Sequence, residues 1–402
     1  MSTEKAIIVS GDQSWVIQTE DLQIGTSLSF DLTDATGQVL HKAGSPITER
    51  LKERLRKKNI HSVTVRGKAP SETEDAEGVL LDSYPEDTLE SIQQSMQNAQ
   101  QSIIKLIRAL EENRVENKLD ELNASIQQFV TSASNDIAAT LATLAIRSRV
   151  TSPEILERIA SRSTKVALMA VATSVIRRDD ASESAEIGLA GMLHDCSLMM
   201  HPEWFDQKPN FRDELFLEEY RRHPIESAEL LQGTGDLSKG VMTMITQVHE
   251  QADGSGYPRG MKLEQVHSGV PVLNLADAYF TLTEPYFGSG IVAGDALAYL
   301  CYHTAQGKFC KKTLQFMIQG LSIYPVGSVV RLDDESLAVV IEGHQGEPLR
   351  PTVRVITGNK PRIDLRNSKR SIVSPHLATG NANIERIKKS QMQEILWRSD
   401  RA

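Results

Sequence analysis

Five side chains in the middle of this sequence are of types that hold divalent cations. They are the adjacent pair His194 and Asp195, His223 before Pro224, His249 before Glu250, and Asp277. Imidazole nitrogens and carboxylate oxygens suit first-row metals, and a single carboxylate can bridge two cations while an imidazole binds one of them. His194 and Asp195 close a helix expected from about Ala185. Neighbouring side chains on a helix diverge by about 100°, so both reach one centre only if it lies between their directions. Asp277 stands in the apolar run Val272–Phe280, where a carboxylate is costly to bury unless it is paired or metal-bound. A buried salt bridge or an N-cap would explain it equally well. The string Asp253-Gly-Ser-Gly-Tyr-Pro258 sets two glycines for tight backbone geometry before a proline that fixes the exit. His41, His61, His303 and His344 have no such company and read as ordinary surface or core residues. Cys196, Met192, Met199, Met200, Met242, Met244, Trp204 and Phe205 read as packing.

These residues need elements to carry them. Three-to-four spacing of apolar residues predicts helices through Ile155–Ile176, Ala185–Leu193, Asp213–His223 and Leu237–His249, punctuated by Pro153, Pro202, Pro224 and Pro258. The same spacing runs through Ile92, Met96, Ile103, Ile107, Leu110, Leu119, Leu122 and Ile126. That stripe either packs on its own domain, the favoured reading, or pairs with a second copy. The chain is mainly α, with an all-helical domain between a small α/β module and a small β module. Residues 1–68 form the α/β module, with strands at Ala6–Val9, Ser27–Asp31 and His61–Val65. A turn at Asp34–Gly37 and a basic helix capped by Thr48 and stopped by Asn59 complete it. Residues 69–87 read as an acidic linker, 88–150 as a long helical segment and 151–323 as the helical domain. Residues 324–378 read as a β extension with strands at Ser328–Leu332, Leu337–Glu342 and Thr352–Ile356, and 379–402 as a charged helical tail.

The charge balance narrows the class. Forty-four basic against 53 acidic residues leave a net charge of −9, which disfavours duplex nucleic acid held by broad phosphate neutralisation. The three cysteines, Cys196, Cys301 and Cys310, are too scattered for a disulfide framework and fit a reducing, cytoplasmic setting. No uninterrupted apolar run reaches the roughly 18–20 residues of a membrane span.

Taken in order, Leu193-His-Asp195, His223-Pro224, His249-Glu250 with Asp253–Pro258, and Gly269–Asp277 resemble the HD-GYP family of metal-dependent phosphohydrolases over roughly Ser152–Pro325. Asp21–Gly25 and Gly37–Gly44 resemble the N-terminal module often joined to such domains, and Tyr324–Leu332 its β extension. The resemblance implies hydrolysis of cyclic di-GMP to pGpG or GMP with two or three iron or manganese ions. It also implies metal ligation by His194, Asp195, His223, His249 and Asp277, with Asp195 as the bridge and Gly256, Tyr257 and Pro258 as the family's loop motif.

The departures matter as much. Where the family has a histidine before a serine, this chain has Arg162-Ser163, and an arginine is protonated at any relevant pH. Arg158 stands one turn earlier, where some members carry a carboxylate. Val248 replaces the first of two adjacent histidines, Leu198 replaces a lysine, and Leu282–Tyr286 replaces an Arg-Pro-Tyr grip. Arg162 could instead reach Asp195 or Asp277 and replace the metal with a salt bridge. Two function classes follow. One is a signalling protein of impaired catalysis acting through protein contacts, with a partly occupied divalent site or none. The other is a cyclic di-GMP phosphodiesterase that works with a reduced metal set.

Overall fold

The computed structural model describes residues 14–19, 32–34, 38–42, 45, 47–58, 60, 62–66, 78–112, 119–146, 155–206, 213–234, 237–286, 293–344, 346–356 and 361–375. These fall into two units divided after Asp75. The expected strands Ala6–Val9 and Ser27–Asp31, the stop at Asn59 and the charged tail lie outside the described residues.

The first unit pairs a four-stranded antiparallel sheet with one helix. Strands β1 (Ser14–Gln18), β2 (Leu32–Thr33), β3 (Val39–His41) and β4 (Ser62–Arg66) lie in the order β1-β4-β2-β3. Helix α1 (Glu49–Lys57) starts where the Thr48 hydroxyl accepts the Leu51 N–H at 3.2 Å, as its sequence predicts. Leu51 and Leu55, one turn apart, are buried with Leu32, Ile47 and Val63, while Arg50, Arg54, Arg56, Lys57 and Lys58 stay exposed.

In the second unit the helices are α2 (Glu86–Glu111), α3 (Leu119–Asn135), α4 (Ile137–Ala145), α5 (Ile155–Arg177), α6 (Ala181–Leu193), α7 (Glu203–Asp206), α8 (Glu214–Tyr220), α9 (His223–Leu231), α10 (Lys239–Gln247), α11 (Val270–Thr283), α12 (Ala293–Ala305) and α13 (Lys311–Leu321). Helix α5 is the axis, packing against α2, α3, α4, α6, α11 and α13. Every residue from Val166 to Ser174 is buried, as a helix surrounded by others requires. Among the described residues it is the one helix long and apolar enough to cross a bilayer, yet 83% of that stretch is buried among its own neighbours.

The apolar stripe of residues 88–150 resolves into α2, α3 and α4, and its residues Ile92, Ile103, Ile107, Leu122 and Ile126 all lie in the core of this unit. Those apolar residues are thus spent on this chain's own core. The linker expectation also needs correction from residue 78 onward. Val79 and Leu80 are fully buried in the helical core, the Tyr84 hydroxyl donates to the Ile341 carbonyl, and Arg354 Nη1 donates to the Asp82 carbonyl at 2.9 Å. Two apolar side chains in an acidic stretch were enough to bind it to the core.

The C-terminal sheet has five strands rather than the three expected. They are β5 (Val329–Leu332), β6 (Leu337–Glu342), β7 (Thr352–Val355), β8 (Arg362–Asp364) and β9 (Ile372–Pro375), all antiparallel in the order β8-β7-β6-β5-β9. Alternation along the strands divides their side chains between two cores. Val330, Leu332, Ala338 and Val340 close a small β core, whereas Val329, Val339 and Ile341 join the helical one. The sheet is thereby part of the helical unit.

If α3 belongs to that common core, Phe129→Ala, at a fully buried site, should cost about 3–5 kcal/mol. Urea unfolding followed by circular dichroism should show one earlier transition for the whole unit. A separate early transition confined to α2 and α3 would contradict this packing.

Candidate metal centre

Helix ends and one loop present the site. Asp180 caps α6, accepting the Glu183 N–H at 2.8 Å, and the helix runs out at His194, its C-cap. Gly191 lets α6 approach α5 and α11, because a Cβ there would lie 3.1 Å from the Ala167 Cα and 3.2 Å from Leu273 Cδ1. That closeness brings His194 and Asp195 to Asp277 on α11. His223 opens α9, with Pro224 in the first turn, where a missing N–H does no harm.

His249 follows the end of α10 and enters the loop 253–258. Glu250 clasps that loop by accepting the N–H groups of Arg259 and Met261, each at 2.8 Å. Gly256 is obligatory by close approach, since a Cβ would meet the Gln251 nitrogen at 2.2 Å and the His249 carbonyl oxygen at 2.4 Å. The Tyr257–Pro258 bond is cis. The Tyr257 ring stacks on His249 with centroids 4.8 Å apart and so fixes that imidazole.

The structure gathers all five candidate ligands into two overlapping clusters that share Asp195. One comprises Asp195, His223 and His249; the other comprises His194, Asp195 and Asp277. Within each cluster the ligand atoms lie within 4.8 Å of one another. His194 Nδ1 donates to the Gly191 carbonyl at 2.8 Å. Its Nε2 therefore carries the lone pair, 3.2 Å from Asp195 Oδ2 and 3.5 Å from Asp277 Oδ1, buried and without a hydrogen bond. A lone pair facing two carboxylates is stable only with a proton or a cation between them. His223 repeats the pattern. Its Nδ1 donates to the Tyr220 carbonyl at 2.7 Å, leaving Nε2 2.9 Å from His249 Nε2 and 3.3 Å from Asp195 Oδ1. The donors present thus fit a divalent ion at Asp195, His223 and His249, a two-histidine, one-carboxylate set.

The other cluster already contains a cation. Arg162, buried on α5, places Nη2 2.6 Å from Asp277 Oδ1 and 2.5 Å from Thr281 Oγ1. Its guanidinium lies 4.2 Å over the Tyr286 ring. The Tyr286 hydroxyl donates to Asp195 Oδ2 at 2.8 Å. Arginine and tyrosine together thereby occupy oxygens of both acids.

Burial alone would lower the His194 pKa, but the charges of Asp195 and Asp277 raise it to about 10. Burial and the nearby His223, only partly opposed by Asp277, push His249 down to about 3. Burial works against ionising the two acids, yet His194 holds Asp195 well below its usual range and Arg162 does the same for Asp277. Burial and Asp195 push the Tyr286 phenol up, so it stays a donor. Two negative charges therefore face two positive ones, Arg162 and protonated His194.

Other expectations shift. Arg158 is exposed and donates to the Tyr286 carbonyl instead of facing the ligands. Glu284 does not enter the site, because Lys165, one turn beyond Arg162, holds both its oxygens at 2.6 and 2.7 Å. Leu198 is fully buried with Ile159, Trp204 and Tyr286, and Val248 is buried with its carbonyl accepting from Asn274 at 2.7 Å. The roles of Tyr286, Tyr220 and Glu250 were not read from the sequence, since tyrosine and glutamate give no sign of long-range partners. The buried cations one turn apart on α5, Arg162 and Lys165, were a usable signal for Asp277 on α11 and Glu284 at its C-cap.

Chelated protein makes the His194 proton measurable. Its contribution to stability is fully present below its ordinary pKa of 6.5 and lost as pH rises through about 10. Urea unfolding with EDTA should show stability falling over that window, and the fall should shrink when manganese is supplied. A flat profile with EDTA would contradict a proton held between the two acids.

Residues 137–309, from α4 through α12, match the HD domain family model. A cyclic di-GMP phosphodiesterase of Pseudomonas aeruginosa is 31% identical over 182 residues, covering 45% of this chain and 43% of that protein. A cyclic di-GMP phosphodiesterase of Borreliella burgdorferi is 26% identical over 200 residues, 49% of this chain and 52% of that one. The match thus spans about half the length of these relatives. A solved HD-GYP-type protein of Bdellovibrio bacteriovorus aligns with a TM-score of 0.46 at 18% identity, over 76% of this chain and 98% of that one. Over residues 137–309 the helical domain matches the HD domain family model, and in sequence it is similar to cyclic di-GMP phosphodiesterases.

Proposed function

We propose that this chain is a cyclic di-GMP signalling protein of impaired catalysis, in which one divalent ion sits at Asp195, His223 and His249 and Arg162 stands where a second would. The Arg162–Asp277 pair at 2.6 Å carries this reading. The guanidinium engages Asp277 Oδ1 and sets a fixed positive charge there that would repel a second divalent ion. The curated relatives that act on cyclic di-GMP support the ligand class. A bound iron or manganese ion would polarise a phosphoryl oxygen and acidify its water.

The chain's own groups prepare the site in other ways. His223 is held in one tautomer by the Tyr220 carbonyl and His249 is clamped by Tyr257, so both imidazoles are preset. Tyr286 orients Asp195. Arg162 supplies permanent positive charge to a cavity of about 420 Å³ that opens on His249, Asp195 and Asp277. Three unpaired cysteines, two of them buried, support a cytoplasmic setting. Output through protein contacts follows from the impaired chemistry.

The intact Asp195–His223–His249 set favours a second reading, a working phosphodiesterase in which Arg162 neutralises phosphoryl charge. Metal analysis and a chromatographic assay with manganese or ferrous iron separate the two. The expected result is one ion per chain, a second ion gained in Arg162→His, and no cyclic di-GMP turnover within the ordinary enzymatic range of roughly 1–10³ s⁻¹. Two ions in the wild type, or turnover in that range abolished by Asp195→Asn, would overturn impaired catalysis.

A further inference from the structure

Charge is unevenly placed along this chain. Between residues 42 and 68 nine side chains are basic and two acidic, although the whole chain carries −9. Six of the nine belong to helix α1 of the first unit and its C-cap, Lys58. The helix turns Leu51 and Leu55 into its own core. Arg50, Arg54, Lys57 and Lys58 follow at i, i+4, i+7 and i+8, so they share a stripe about 100° wide and about 12 Å long, and all four are exposed. Arg54 Nη2 donates to the Leu40 carbonyl at 2.7 Å, which ties the stripe to β3. The side chains of Arg50, Lys57 and Lys58 have no ion-pair partner among the described residues.

This arrangement works against the helix that carries it. Cations in the last turn complement the helix dipole, but Arg50 stands in the first turn, where a positive charge is unfavourable. Arg50 with Arg54, and Arg54 with Lys58, are like charges at i, i+4, and each such pair is destabilising. A cationic row that its own helix does not need points to a negatively charged partner.

We propose that this face of α1 is a docking surface for an anionic lipid bilayer. A cluster of about four to eight Lys and Arg side chains on a helix is what acidic headgroups attract. A peptide partner would call for apolar or aromatic anchors, and the apolar side chains of α1 are spent inside its unit. A single-stranded nucleic acid would call for rings on which its bases stack, and α1 carries no aromatic residue. A bilayer needs only a dense sheet of negative charge. Screening at physiological salt acts within about 8 Å, so the local excess of the stripe sets the attraction although the chain as a whole is acidic. Each cation adds about fivefold to the partition. Neither the metal centre nor its ligand takes part.

Co-sedimentation of the full chain with vesicles tests this. The chain should pellet with vesicles of mixed phosphatidylglycerol and phosphatidylcholine, stay in solution with phosphatidylcholine alone, and be released by high salt. The variant Arg50→Gln, Lys57→Gln, Lys58→Gln should lose about a hundredfold in partition while its circular dichroism and Tm hold. The charge-conserving variant Arg50→Lys, Lys57→Arg, Lys58→Arg should bind as the wild type does. So should Lys239→Gln, Lys311→Gln, Lys312→Gln, which removes the same charge from exposed positions of the helical unit. Equal pelleting with both kinds of vesicle, wild-type partition in the α1 glutamine variant, or an equal loss in the helical-unit variant would overturn the proposal. Tighter retention of a single-stranded oligonucleotide than of the vesicles, lost in the α1 glutamine variant, would overturn it in favour of nucleic acid.

Discussion

An ion pair between two helices governs this domain. Arg162 on α5 and Asp277 on α11 meet at 2.6 Å with both side chains almost wholly buried. Removing either partner from such a pair leaves an uncompensated charge in the interior, a loss of roughly 3–5 kcal/mol. The pair is also positioned to exclude. At an effective dielectric of about 20, a divalent ion about 4 Å from a guanidinium is repelled by on the order of 8 kcal/mol. The ligands His194, Asp195 and Asp277 would have to recover that energy with Asp277 Oδ1 already engaged and Asp195 Oδ2 hydrogen-bonded to Tyr286.

The surrounding fold keeps the pair in place. Helix α5 lies at the centre of the domain and Arg162 is buried there. Lys165 and Glu284 make a second junction between the same two segments one turn further along. In a metal centre of this kind the cations would join α6, α9, α10 and α11. Here α5 and α11 are also joined by side chains that need no metal, and the interior charges already balance without one. The architecture can therefore outlast the loss of a cation from its middle.

Much of this was legible in the sequence because the ligand residues come in short motifs at helix ends. His194-Asp195, His223-Pro224 and His249-Glu250 each mark an element boundary, and the apolar run around Asp277 shows that its carboxylate needs a partner. Arg162 was legible as that partner only because an arginine at a buried helical position must find an acid. Tyr286 was not. It reaches Asp195 across 91 positions of sequence, and a tyrosine after a proline reads equally well as surface. The β extension was legible in its first three strands, where apolar residues alternate. It was not in β8 and β9, whose three and four residues include Arg362, Asp364 and Ser374. The acidic stretch misled for the opposite reason, since its charges outweighed the short apolar run that holds Val79 and Leu80, which pack into the core.

The two halves of the site differ in charge. Arg162 sets a cation against Asp277 in one half. In the Asp195–His223–His249 half no arginine or lysine is paired with the ligand atoms among the described residues, and its two imidazoles have carbonyl and aromatic supports. A site abandoned altogether would be under no constraint to preset imidazoles, to clasp the loop with Glu250, or to keep the close approach that demands glycine at 256. Each of these holds His249 and the cavity wall in a defined shape. Under the proposed reading, a preset cavity beside the Arg162–Asp277 pair suits recognition better than turnover, because binding needs a preset cavity whereas phosphodiester hydrolysis at neutral pH also needs a strongly activated nucleophile.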